Sequence, residues 1–230
     1  MASLFTLDIS GTLLALVFGV LVFYMGLSYW WFFVAVLIDF LVLSSLATKA
    51  KEAEKSSIKG YEKVRNWRNV VANGLAPVAI VIAYFLFMEG GGVPLVYGNI
   101  IIYSFVASVA AITADKFASE FGVLGKEPVD LITRKRVRKG TSGGVTWFGT
   151  LMGAVAAILI GLVVFAIGAT VITFAVVVLS GVFGNVVDSL LGHFEEKHIG
   201  NKYTSNLLCS VFGALLCFAV LYVLPVSLLV

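Results

Sequence analysis

Asn99-Ile100-Ile101-Ile102-Tyr103-Ser104-Phe105-Val106-Ala107-Ser108-Val109-Ala110-Ala111-Ile112-Thr113-Ala114-Asp115-Lys116-Phe117-Ala118 is the stretch that decides the fold class. It carries no charged side chain until Asp115. At 1.5 Å per residue, a helix of this length covers about 30 Å, the thickness of a bilayer's hydrocarbon core. Comparable apolar runs lie at 74–88, 29–48 and 11–25 before it and at 146–165, 170–190 and 206–224 after it. Seven crossings are therefore expected. The fold class is all-α, a polytopic integral membrane protein, with a single transmembrane domain over 1–230. The chain is 60% hydrophobic and 13% charged with a mean hydropathy of +1.03, which excludes a soluble globular domain of this length. The alternation of a β-barrel strand is absent.

The charges are sorted by side. If the spans alternate, segments 49–73, 119–145 and 191–205 share one face of the membrane, and they hold fifteen of the sixteen Lys and Arg residues. The sixteenth, Lys116, sits at an adjoining helix end, and the opposite connections carry none. The positive-inside rule assigns the three charged loops to the cytoplasm. The run from Leu13 to Tyr24 lacks a basic leader and a convincing small-residue cleavage site, so it reads as a retained helix. Because 26–28 is so short a connection, the first two runs could also form a re-entrant pair. Cys209 and Cys217 lie eight residues apart in the last run, too far to bridge, and read as packing residues. Gly149, Gly153, Ala157 and Gly161 recur at four-residue intervals, the pattern of closely approaching helices.

Three carboxylates fall in or at the end of apolar runs: Asp39, Asp115 and Asp188. An ionised carboxylate in hydrocarbon costs several kcal/mol unless it is paired, hydrated or metal-bound, which makes each a candidate site. Nothing around Asp39 forms a motif. Asp115 opens Asp115-Lys116-Phe117-Ala118-Ser119-Glu120-Phe121-Gly122. Ser119 shares its helix face, whereas Glu120 lies about 140° away and reaches the same site only if the helix ends or bends. Gly181, Asn185, Asp188, Ser189 and Gly192 form a small, polar stripe with spacings of three and four, which suits a helix lining a hydrophilic cavity.

Between the fourth and fifth runs comes Arg134-Lys135-Arg136-Val137-Arg138-Lys139-Gly140-Thr141-Ser142-Gly143-Gly144. Glycines with adjacent hydroxyls let successive N–H groups point at one anion, and the helix that follows aims its positive end there. A flexible turn with a headgroup-binding basic patch is the structural alternative. No Walker A lysine is present. Arg65, Arg68 and Asn73 add cations and a carboxamide before the third run, and Lys202 and Asn206 flank the start of the last. His193 and His198 are five residues apart, on different helix faces, and do not form an HExxH zinc motif.

Taken together, Asn73-Gly74 with Pro77, Asp115 with Ala118-Ser119-Glu120 and Gly122, Gly140-Thr141 with Gly143-Gly144-Val145, and Gly184 with Asp188-Ser189-Leu190-Leu191-Gly192 resemble the DUF92, or transmembrane protein 19, family. That family includes the plant phytyl-phosphate kinase of the vitamin E pathway. The resemblance implies a CTP-dependent kinase that converts an isoprenyl monophosphate to the diphosphate with Mg²⁺. In that reading Asp115, Glu120 and Asp188 are the metal carboxylates, with Lys116 beside them in the catalytic group. Gly140, Thr141, Ser142, Gly143 and Gly144 hold nucleotide phosphates. Asn73, Ser119, Asn185, Ser189 and Asn206 are further nucleotide- or phosphate-binding residues, and Arg65, Arg68, Arg138 and Lys202 are candidate clamps for the lipid phosphate or the nucleotide. The implied partners are the lipid bilayer, the isoprenyl phosphate and a nucleotide, with homo-oligomerisation open and no nucleic acid expected. A CTP:lipid-phosphate cytidylyltransferase and a non-enzymatic transporter are the rival readings.

Overall fold

The computed structural model describes residues 6–57, 62–91 and 94–228. Eight helices follow one another: α1 (Ile9–Met25), α2 (Trp30–Lys49), a single turn α3 (Glu52–Lys55), α4 (Trp67–Glu89), α5 (Leu95–Gly122), α6 (Trp147–Gly161), α7 (Val171–Glu195) and α8 (Lys202–Val223). Two-residue strands β1 (Val129–Asp130) and β2 (Gly144–Val145) pair antiparallel and fold the loop before α6 back on itself.

Among the described residues, six helical segments are long and apolar enough to span a bilayer. The first expected span is the exception: α1 has 17 residues, at the lower limit for a crossing. A second difference concerns α4, which starts at Trp67, well before residue 74, because the Asn66 side chain accepts from the Arg68 N–H and caps it. The polar first turns of α4 hid that start from a hydropathy reading.

α5 is the axis of the bundle. It packs against α2, α4, α6, α7 and α8, while α1 lies on α4 and α2. Of its span 78% is buried, against 33–39% for the other five. Small residues permit this density. A Cβ added at Gly184 of α7 would stand 2.5 Å from the Ala111 methyl, and one at Gly213 of α8 would stand 2.9 Å from the same methyl. In α6 the expected four-residue stripe does pack: Gly149 and Gly153 sit against the Ala118 and Ala114 carbonyls of α5. Without a hydrophobic drive between helices in lipid, such close van der Waals contact holds the bundle together. Cys209 and Cys217 are free and buried, in agreement with a packing role.

Candidate functional site

The N-terminal ends of α1, α4, α6 and α8 and the C-terminal ends of α2, α5 and α7 surround one cavity of about 610 Å³ at the charged end of the bundle. Most of the residues singled out from the sequence line it: Arg65, Asn73, Asp115, Lys116, Ser119, Glu120, the whole of Gly140 to Gly144, Asn185, Asp188, Ser189, Lys202 and Asn206. Arg68 and Arg138 do not. Arg68 is exposed and lies over the Trp67 ring at 5.5 Å, and Arg138 is exposed on the loop between β1 and β2. Asp39 is likewise exposed on α2 and does not line the cavity.

Asp115 and Asp188 face each other across it. Each sits seven residues inside the end of its own helix, about 10 Å along the axis, so α5 and α7 deliver the two carboxyl groups to one depth. The groups are within hydrogen-bonding reach, with the Arg65 guanidinium and the Glu195 carboxylate in electrostatic range. Asp188 Oδ1 and, one turn earlier, Asn185 Oδ1 are buried without a hydrogen-bond partner. Orphaned hard oxygens on one helix face need a cation or a donor, and they are the donor type that Mg²⁺ selects. No group of three or more His, Cys, Asp and Glu side chains converges among the described residues. A metal here would take the two aspartates and the Asn185 oxygen, with phosphate or water oxygens completing its shell.

Glu120 does something else. Because α5 continues as regular helix to Gly122, its side chain emerges away from Asp115 into a nest of cations. Lys55 Nζ stands 2.7 Å from Oε2, Lys116 pairs with Oε1, Arg65 Nη2 lies 3.6 Å from Oε1, and the Thr48 hydroxyl donates to Oε1 at 3.0 Å. The contacts of Glu120 are thus with three cations and a hydroxyl, whereas the sequence reading groups it with Asp115 and Asp188 as a metal carboxylate. Lys55, which no sequence motif marked, is fully buried. Its remaining donors cap α2 through the carbonyls of Ala47 and Thr48 at 2.7 and 2.8 Å.

The glycine loop is docked, not loose. Gly143 adopts φ +75°, and its backbone meets that of Gly192 so closely that a Cβ on Gly192 would fall 2.2 Å from the Gly143 nitrogen. Asp130 fastens the same loop to α7 through His193 Nδ1 at 2.7 Å. Burial pushes the Asp130 carboxyl up. The Thr133 N–H, His193 and the Thr133 hydroxyl outweigh that and hold it at about 2. The Ser142 N–H donates to Glu196 at 2.9 Å, so a carboxylate already occupies one backbone donor of the turn. Asn206 donates to Asn73 Oδ1 at 3.1 Å, joining α8 to α4 across the mouth. Pro77, with no N–H, cannot bond the Asn73 carbonyl one turn back.

The profile of the family described as "Integral membrane protein DUF92" matches residues 2–223. The chain belongs to the DUF92 family. An uncharacterized membrane protein of Methanocaldococcus jannaschii is 33% identical over 214 residues, covering 91% of this chain and 84% of that protein. Protein PGR of Arabidopsis thaliana is 30% identical to this DUF92 chain over 210 residues, 81% of the chain and 71% of PGR. The chloroplastic protein VTE6 of the same plant is 29% identical over 180 residues, 76% of this chain and about half, 53%, of VTE6. No solved structure matches.

Proposed function

We propose that this DUF92 protein is a CTP-dependent kinase that phosphorylates an isoprenyl monophosphate to the diphosphate. The observation that carries the reading is the Asp115–Asp188 pair, with Asp188 Oδ1 and the neighbouring Asn185 Oδ1 unpartnered, in one cavity with the Gly140–Gly144 turn, a cluster of cations and an apolar wall. A water-soluble nucleotide and a phosphate on a hydrocarbon tail can meet only at such a boundary. The family resemblance drawn from the sequence implies the same reaction class.

In this mechanism an oxygen of the acceptor phosphate attacks the γ-phosphorus of CTP. The bond from that phosphorus to the β–γ bridging oxygen breaks, and CDP leaves with the oxygen. The acceptor phosphate is already anionic at neutral pH, so no general base is required. Asp115, Asp188 and Asn185 would hold Mg²⁺, which supplies neutralisation of charge on the transferring group. Lys116, Arg65 and Lys202 offer further positive charge at the cavity wall, and the Thr141 and Ser142 hydroxyls offer donors on the turn. Positioning and electrostatics then account for catalysis.

Incubation of the purified protein with CTP labelled at the γ-phosphate and a panel of prenyl monophosphates tests it. Label in the lipid is expected. Label in free pyrophosphate instead identifies a cytidylyltransferase, and no Mg²⁺-dependent transfer with any prenyl phosphate removes the enzyme reading.

A further inference from the structure

The cavity has two sides built by different helices. On one side Arg65 is tied to the start of α1, its carbonyl accepting from the Asp8 N–H and its own N–H donating to the Thr6 carbonyl, both at 2.9 Å. The Thr6 N–H in turn donates to Ser45 Oγ of α2 at 3.4 Å. These same helices supply an apolar arm of the cavity: Ala15 and Phe18 from α1, Leu37, Phe40 and Leu41 from α2, and Val78 from α4. From Ser45 to Leu37 along α2 the arm runs about 12 Å toward the bilayer centre. The Phe18 ring closes it by lying over Gly74, where a Cβ would come within 2.7 Å. On the other side, the Gly140–Gly144 turn is seated on α7 at Ser189, Gly192 and His193. Asp115 and Asp188 stand between the two.

Charge is divided in the same way. Three cations, Lys55, Lys116 and Arg65, converge on the single carboxylate of Glu120. Glu120 offsets one of them, so this wall keeps a net positive charge at the head of the apolar arm, with Asp115 the acidic group in range of Arg65. An anionic headgroup with one hydrocarbon chain matches that pairing of cations and apolar wall; the polar groups of a nucleotide would go unpaired along such an arm.

We infer that the lipid phosphate and the proximal part of its tail are taken between α1, α2 and α4, with Arg65 and Lys116 on the phosphate, while the nucleotide is held on the α6–α7 side by the Gly140–Gly144 turn. Glu120 is a positioning residue: it acts through Lys116 and Arg65. The arm is shorter than a diterpenoid chain, so it senses the first isoprene units. The inference deepens the kinase reading and rests on it for the nucleotide half alone.

The test is equilibrium binding to the purified protein in detergent, geranylgeranyl monophosphate and CTP each measured alone, beside a five-carbon prenyl monophosphate. Lys116→Met is expected to weaken geranylgeranyl monophosphate about tenfold or more, the scale of a lost charge-assisted hydrogen bond, and to leave CTP unchanged. Gly143→Ala is expected to do the reverse. Leu37→Trp, which fills the arm, should weaken the long chain and spare the five-carbon one, a ratio that general misfolding does not produce. Glu120→Gln should follow Lys116→Met, with recovery in Glu120→Asp. Weakened CTP binding in Lys116→Met with unchanged lipid binding overturns the division, as does an equal effect of Leu37→Trp on both chain lengths. A wild-type protein that binds the prenyl phosphates with this pattern but no nucleotide supports the lipid side and overturns the kinase reading.

Discussion

Two carboxylates on α5, five residues apart, one buried and one half-buried, meet opposite surroundings. Glu120 is compensated by Lys55, Lys116, Arg65 and the Thr48 hydroxyl. Asp115 faces another acid, Asp188, one of whose oxygens has no partner. In the first arrangement the carboxylate is compensated, with positive charge left over. The second is incomplete until positive charge arrives. Acids in a membrane protein are therefore sorted by what surrounds them and not by depth: one is a counter-ion, the other, in the function proposed above, a seat for a cation and the phosphates that accompany it.

The sharpest break of that comparison is at the pair. Asp188→Asn and Asp115→Asn are expected to lower Mg²⁺-dependent phosphoryl transfer by roughly 10²- to 10³-fold or more, with folding retained, as judged by turnover and by elution in detergent. Near-normal rates in both variants would return the pair to a structural role. At Glu120 the order of effects reverses. Glu120→Gln leaves buried Lys55 and Lys116 without their carboxylate and is expected to destabilise the bundle by about 3–5 kcal/mol. The double variant Glu120→Gln/Lys55→Met should recover part of that loss, measured by thermal unfolding.

Gly192→Ala strikes the loop side. Its methyl would collide with the Gly143 backbone, so the turn should lift off α7, with a cost of about 1–3 kcal/mol and a raised KM for CTP. The pH dependence of the same docking is smaller. The Asp130 carboxyl is held at about 2, below its ordinary value, so its contribution is fully present above about pH 4. It is lost as pH falls toward 2. Thermal unfolding of wild type and Asp130→Asn should differ above pH 4 and converge below it. The least effect is expected at the exposed cations: Arg68→Ala and Arg138→Ala should change stability by less than about 0.5 kcal/mol and leave both substrate affinities unaltered.

What could be read in advance follows from where the physics is local. Six spans were legible because crossing lipid demands an apolar run in sequence. Asp115 and Asp188 were legible because a carboxylate in such a run is an anomaly wherever its partner lies. The cationic surroundings of Glu120 are not legible in the sequence, because its direction depends on whether α5 stops before it, and the helix runs on to Gly122. Lys55 looked like any other loop lysine; only the approach of α2 to α5 makes it the buried cap that it is. The Asp130–His193 tie joins residues 63 apart, and neither carries a motif that announces the other. The start of α4 was missed because Trp67, Arg68 and Asn69 are too polar for a hydropathy window.

The central contrast is open to one direct measurement, electron paramagnetic resonance of Mn²⁺, standing in for Mg²⁺, bound to the purified protein with CTP. Bound Mn²⁺ should be lost in Asp188→Asn and kept in Glu120→Asp, which preserves the counter-ion. Mn²⁺ retained in Asp188→Asn and lost in Glu120→Asp would put the metal at the cationic nest and contradict the account.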